Sequence, residues 1–392
     1  MVLASGTLVQ WASAFLPFTT STRPLLQNKC GARLSMSALG GQDSEFDAQL
    51  RDGNTKKCLD ILRRAGTSLE IDNNRATTLI TQVGEAALLA VDPEGPGPEK
   101  GQLGEDELSF VYSELHRRGI LTGYGSVTMD VVPYRNKQDM SPAKLAELTG
   151  MDMQALAPGR SDNTWAYAGA ALCLAEVAAA QYFNIDPLQV ALPATIGVFA
   201  LDRIVLKGAL FESIARIINP TYKAKIIRHE AGHFLLAYLL GLGISGCLLD
   251  PWQVRKFVRG QGGTVFADPT FARGLQSGSI TKTSIDRFSI VLMAGIAAEA
   301  VVYGRAEGGA SDEAGLISIL SSIQPPFTYE MIRQQARWAA VQAALLLKEH
   351  QAAYDVLVAA LEKGSSVGEC IMAIEGSLRK MPSPTPVEVR RH

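Results

Sequence analysis

The sequence predicts a mainly α-helical protein with one small β-hairpin. Three observations point there. Apolar residues recur at three- and four-residue spacing, as in Phe46, Leu50, Cys58, Leu59, Ile61 and Leu62. Side chains so spaced share one face of a helix. Two longer apolar stretches, Trp165–Phe183 and Leu188–Leu206, have the length of helices rather than strands. Extended runs are short by comparison. Cys247–Leu249 and Gly263–Phe266 are placed to pair as strands across a loop holding Arg255, Lys256 and Arg259.

Taken in order, residues 1–42 contain no Asp or Glu, are rich in Ser and Thr, and carry Arg23, Lys29 and Arg33. That composition reads as a disordered organelle transit peptide, cut between Cys30 and Ala38. Hydroxyl residues outnumber arginines, which favours a chloroplast address over a mitochondrial one. No basic segment precedes the apolar residues Leu8 to Phe18, so a secretory signal fits less well. Residues 43–160 read as a helical N-terminal region, broken at Gly53-Asn54 and again at the Pro/Gly-rich loop Asp92–Pro98. Leu108, Val111, Tyr112 and Leu115 form a further helical stripe that ends at Gly119, and Gly123–Tyr134 reads as turn plus extended chain. His116 belongs on the surface, and no catalytic motif precedes residue 200.

Residues 161–210 hold the two apolar stretches, each close to the roughly 20 residues that cross a bilayer. Glu176 interrupts the first, and Pro193, Asp202 and Arg203 interrupt the second. An ionisable group at bilayer depth costs several kcal/mol unless paired, so both a buried helical pair and a membrane hairpin remain open. Residues 211–376 form the next unit, and 377–392 a disordered tail. Within that unit Arg333–Leu361 reads as one amphipathic helix carrying a solvent-facing His350; His392 ends the tail.

The formal charge of −2 gives no electrostatic footprint for nucleic acid. Five cysteines without close pairs write neither a disulfide framework nor a cysteine-rich metal site.

The chemistry lies in His229-Glu230-Ala231-Gly232-His233, which places two of five histidines four residues apart with a glutamate beside the first. On a helix, side chains at that spacing stand one above the other, so both imidazoles reach one Zn²⁺ while Glu230 handles a water. Ile226-Ile227 lead into the motif and Phe234–Leu240 continue it, before Gly241 and Gly243 stop the helix. A catalytic zinc site takes three protein ligands and keeps one position open. The third ligand must therefore come from elsewhere in the chain. Candidates are Glu299, on an apolar helix running from Ile290 to Tyr303, and Asp312, in the loop Gly308-Gly309-Ala310-Ser311-Asp312.

From Thr221 to Ile374 the chain resembles the peptidase domain of FtsH-type zinc metalloproteases. In that family the His-Glu-x-Gly-His helix is followed by Gly-x-x-Ala-Glu-Glu and then by Gly-Ala-x-x-Asp. Here these read His229–His233, Gly295-Ile296-Ala297-Ala298-Glu299-Ala300 and Gly309-Ala310-Ser311-Asp312-Glu313. Leu346–His350 to Lys363 and Gly368–Ile371 look like the helical tail of the same domain. The resemblance implies a helical zincin-like peptidase domain in which His229, His233 and Asp312 bind zinc, Glu230 is the general base, and Glu299 orients a histidine. Protein or peptide substrates follow from it. An extended peptide added as a strand beside the hairpin is held through its backbone and so tolerates varied sequences.

The departures are specific. The family's ATPase module needs a Gly-x-x-x-x-Gly-Lys-Ser/Thr phosphate loop, and Lys282-Thr283 lacks the preceding glycine. The enzyme thus either cuts accessible substrates unaided or works with a partner ATPase. Ala300 replaces the second acid of Ala-Glu-Glu, and the loop Asp250–Ser279 differs, which bears on oligomer contacts and substrate preference. Two other functions stay open. One is a non-catalytic zinc-containing scaffold or regulatory subunit of a larger protease complex. The other is a site-2-protease-like intramembrane peptidase, which requires several clear spans.

Overall fold

Capping residues set where many of the helices start and stop. The computed structural model describes residues 36–90, 103–137, 140–157, 164–183, 186, 191–205, 213, 220–250 and 263–380. Most of the expected leader, the Asp92–Pro98 loop, the basic loop with Arg255, Lys256 and Arg259, and His392 lie outside the described residues. Helix α1 (Met36–Arg51) begins inside the segment expected as leader, so residues 36–42 are helical. After the Gly53-Asn54 break, the Asn54 side chain caps α2 (Thr55–Ala65) by accepting from the Lys57 N–H. Helix α3 (Asn73–Ala90) follows, then α4 (Glu105–Arg117), whose first turn carries Glu105, Asp106 and Glu107 against the positive end of the helix dipole. Helix α5 (Pro142–Thr149) has Ser141 as N-cap, Pro142 in its first turn and left-handed Gly150 at its end.

The two apolar stretches form α6 (Thr164–Tyr182) and α7 (Ala191–Ile204). Among the described residues no helix is long and apolar enough to cross a membrane. The motif helix, α8 (Pro220–Leu239), is buried on all sides from Ala231 onward, and Gly241 stops it with φ 80°. The expected hairpin is present: β1 (Gly243–Leu248) pairs antiparallel with β2 (Gly263–Ala267), Cys247 facing Thr264. Six further helices follow among the described residues: α9 (Pro269–Ser277), α10 (Lys282–Leu292), α11 (Ala294–Tyr303), α12 (Ala310–Ser322), α13 (Tyr329–Glu349) and α14 (Gln351–Glu362). They are followed by α15 (Val367–Leu378). Among the described residues the protein is mainly α-helical with one two-stranded sheet.

Three elements differ from the sequence expectation. The apolar helix expected from Ile290 to Tyr303 is two helices, broken at Met293. The helix expected over Arg333–Leu361 is also two, because His350 leaves helical geometry at φ −103° and ψ 30°. His350 itself is half-buried in that joint rather than solvent-facing, and burial lowers its pKa despite the neighbouring Glu349. Asp312 sits in the first turn of α12 rather than in a loop. His116 is exposed, as expected.

One continuous core runs from Phe46 to Ile374, with Trp338, Tyr112, Tyr238, Tyr354 and Phe234 among its largest buried side chains. The N-terminal helices belong to it. Helix α3 packs against β1 and α15, and Tyr112 on α4 donates to the Ile244 carbonyl of β1 at 2.9 Å. Tyr354 on α14 donates to the Arg228 carbonyl, one residue before the motif, at 2.7 Å. Cys58 and Cys370 are packed in this core, and burial pushes their thiols up to about 11 and about 12. Cys173 is exposed.

Glu375, 1 % exposed, ties three segments together. Its carboxylate accepts from the Thr122 N–H and hydroxyl, the Gly123 N–H and the Tyr238 hydroxyl. Tyr238 lies on the motif helix, so the carboxylate fixes α15 and the 122–123 turn against α8. Removing it leaves buried donors unmet, at about 1–3 kcal/mol each. Glu375→Ala is expected to lower unfolding stability by at least about 2 kcal/mol, read from urea denaturation midpoints.

Candidate metal centre

Histidine spacing and helix burial together place two imidazoles in the core. His229 and His233 stand one turn apart on α8, both buried, with ring centroids 4.8 Å apart. Each ring is oriented through its Nδ1. That of His229 lies 2.7 Å from Glu299 Oε1, and that of His233 lies 2.7 Å from the Val291 carbonyl. A carbonyl oxygen only accepts, so His233 carries its proton on Nδ1; a carboxylate partner fixes the same tautomer for His229. In the neutral form of each ring the lone pair is then on Nε2.

The two Nε2 atoms converge on Asp312. His229 Nε2 lies 3.0 Å from Asp312 Oδ2, His233 Nε2 lies 3.4 Å from the same oxygen, and the two Nε2 atoms are 3.1 Å apart. Four ligands at about 2.0–2.1 Å around a tetrahedral Zn²⁺ stand about 3.3 Å from one another. The donor triangle has that size and the nitrogen and oxygen chemistry that zinc takes. Among the described residues, His229, His233 and Asp312 are the group of this kind able to hold a metal ion.

Glu299 lies on the other side of His229. Its second oxygen accepts from the Glu307 and Gly308 N–H groups at 2.7 and 3.0 Å. One carboxylate therefore holds both a histidine and the chain that leads into Asp312. That chain arrives through Gly309, at φ 92°, where a Cβ would stand 2.2 Å from Ile296 Cγ1. Only glycine fits there. Asp312 then opens α12, where its charge is favoured by the helix N-terminus.

The charges are mutually supportive. Burial opposes protonation of His229, but hydrogen bonds to Asp312 and Glu299 and the charge of Glu230 outweigh it, pushing its pKa up to about 10. Burial also works against the His233 cation, and the Asp312 carboxylate overcomes it. Burial of Asp312 is offset by the two histidines, which hold its carboxyl well below the usual range. Glu299 is held low against burial by His229 and by the Gly308 and Glu307 N–H groups. The pocket is built to receive positive charge.

Glu230, half-buried, points from α8 toward the hairpin. Its Oε2 accepts from the Thr264 N–H at 2.7 Å, and the Thr264 hydroxyl donates to the Glu230 carbonyl at 3.0 Å. The Thr264 N–H is thus turned away from β1 and toward the motif, so the outer edge of β2 faces the site.

Helix α11 reaches the site because Gly295 has no side chain. A Cβ there would lie 2.3 Å from His229 Nε2. Gly295→Ala is expected to spoil the donor triangle without altering any of its three residues, so that less added zinc is retained than by the parent, and to lower stability by about 1–3 kcal/mol. Metal content after dialysis and the thermal midpoint check it.

The structure brings together all five residues singled out in the sequence: His229, Glu230, His233, Glu299 and Asp312. Sequence reasoning missed the Val291 carbonyl and the Thr264, Glu307 and Gly308 N–H groups. Every residue but proline carries such groups, so no residue type marks them. No family model, curated protein or solved structure matches the chain.

Proposed function

We propose that the protein is a zinc-dependent metalloendopeptidase, FtsH-like in its peptidase part and without an ATPase of its own, acting in proteolysis within an organelle, the chloroplast by its leader composition. The observation that carries this reading is the convergence of His229 Nε2, His233 Nε2 and Asp312 Oδ2, with Glu230 next to the first histidine. Three protein donors, with no fourth among the described residues, suit a catalytic zinc, whereas a purely structural site is closed by four.

His229, His233 and Asp312 would hold the ion. When bound, zinc supplies a Lewis acid that polarises the scissile carbonyl and makes water more acidic. Glu230 takes the proton of the attacking water. The Thr264 N–H holds Oε2, so Oε1 is the oxygen left for that proton, which Glu230 then passes to the leaving amine nitrogen. Glu299 and the Val291 carbonyl keep the Nε2 atoms of the two histidines aimed at the ion. A substrate laid along the outer edge of β2 would be held through its backbone, beside Glu230.

The purified protein is expected to carry about one zinc per chain and to hydrolyse casein without ATP. A chelator abolishes turnover and added zinc restores it. Zinc at that stoichiometry with no turnover would instead favour the scaffold, or a peptidase that depends on a partner ATPase. Absence of metal binding removes the zinc reading altogether.

A further inference from the structure

Helices α6 and α7 stand apart from everything above. They pack on one another, and none of their described residues belongs to the main core. Their polarity is inverted. Leu174, Val177, Ile196, Phe199, Leu201 and Ile204 face outward, Leu174 being 71 % exposed and Ile204 77 %. Three polar groups face inward: Thr195 donates its hydroxyl proton to Glu176 across the pair, and Asp202 is fully buried.

That pattern decides among possible coverings. At about 100° per residue, Ile196, Val198, Phe199, Leu201 and Ile204 fall on all sides of α7 except the one that Thr195 and Asp202 share, rather than along one stripe. A partner protein or a second copy takes a stripe and leaves a polar face to water. Apolar groups outside and ionisable groups inside suit an apolar solvent instead. Charge points the same way. From Arg203 to Lys223 the sequence holds four basic residues, Arg203, Lys207, Arg216 and Lys223, against Glu212 as the one acid. Such a stretch beside an apolar element complements anionic headgroups.

The depth is limited. Helix α7 has 14 residues, a rise of about 21 Å against a hydrocarbon core of about 30 Å. Asp186, between the two helices in sequence, is exposed, and Arg203 stands near the far end of α7. Either would be costly at bilayer depth, so both ends of the pair belong at headgroup level.

We propose that α6 and α7 form an anchor sunk into one leaflet of a lipid bilayer that contains anionic lipid, with both ends of the pair at headgroup level. The anchor does not depend on the peptidase reading: chain with its metal site emptied binds vesicles equally.

The test is flotation of the full-length protein with vesicles of phosphatidylcholine and phosphatidylglycerol in about 0.5 M NaCl, where surface electrostatics are screened. The parent is expected to float. The triple variants Leu174→Glu/Ile196→Glu/Phe199→Glu and Leu174→Ser/Ile196→Ser/Phe199→Ser are expected to float at least about tenfold less, with circular dichroism unchanged. The serine triple separates loss of apolar surface from charge repulsion, and serves should the acidic triple fail to fold. A parent that stays with the aqueous fraction, flotation lost in salt, or serine-triple flotation equal to the parent each overturns the proposal. So does concentration-dependent self-association removed by the same substitutions without vesicle binding, which would assign the surface to a second copy of the chain.

Discussion

Glu230→Gln is expected to lower casein hydrolysis by about 10²–10⁴-fold while zinc content stays at the parent level. The amide is isosteric with the carboxylate, and its oxygen still accepts from the Thr264 N–H that holds the wild-type side chain at 2.7 Å. Packing of the hairpin on α8 is therefore preserved. What is lost is the carboxylate that would accept the proton of the attacking water. Glu230 is not among the convergent donors, so the metal stays. The fall belongs in kcat rather than KM, since the backbone edge of β2 that would hold substrate is untouched. Turnover equal to the parent, with zinc retained, would remove Glu230 from the chemistry and leave some other base to be found.

Asp312→Ala and Glu299→Gln are expected to separate sharply, which makes the pair the test of which carboxylate binds the ion. Asp312 Oδ2 meets the Nε2 atoms of both histidines, whereas Glu299 Oε1 meets only Nδ1 of His229, on the far side of the ring. Asp312→Ala removes one of three donors and the charge facing two imidazoles, so zinc affinity falls by more than about 100-fold and turnover is lost at any practical zinc concentration. Glu299→Gln keeps a hydrogen-bond acceptor for the His229 N–H but loses charge, weakening zinc by about 10–100-fold. Turnover then returns at saturating zinc. Competition with a chromophoric chelator gives both affinities. The reverse order would make Glu299 the ligand and Asp312 its support.

These two experiments rest on different kinds of knowledge. The motif helix was legible because its information is local: four residues carry His229 to His233 by one turn, whatever the rest of the chain does. The stripe Leu108, Val111, Tyr112 and Leu115 was legible for the same reason, and all four residues are fully buried. The hairpin strands announced themselves by short extended runs, and pair as expected. Asp312 was not legible from periodicity. It lies 83 residues from His229 in sequence, and only the family resemblance singled it out.

The helix breaks were hidden because the apolar pattern continues through them. Ile290 to Tyr303 reads as one run, yet the chain breaks at Met293, and the break has a consequence for the site. The last carbonyls of a helix have no partner within it, so ending α10 at Leu292 frees the Val291 oxygen for His233. In the apolar pair, length and composition were legible, but the direction each side chain faces was not. An interrupted apolar stretch reads alike whether Glu176 and Asp202 turn inward or outward.

The sequence by itself determined most of the helical segments, the spacing that puts His229 and His233 on one helix face, and that no ATPase phosphate-loop motif is written in it. These depend on residue type and on spacings of a few residues. Tertiary structure alone decided which carboxylate faces the two Nε2 atoms, which carbonyl fixes the second histidine, and that α6 and α7 turn their polar groups inward. The reason is physical: contacts across tens of residues, and hydrogen bonds to backbone groups common to nearly every residue, exist only once the helices have packed.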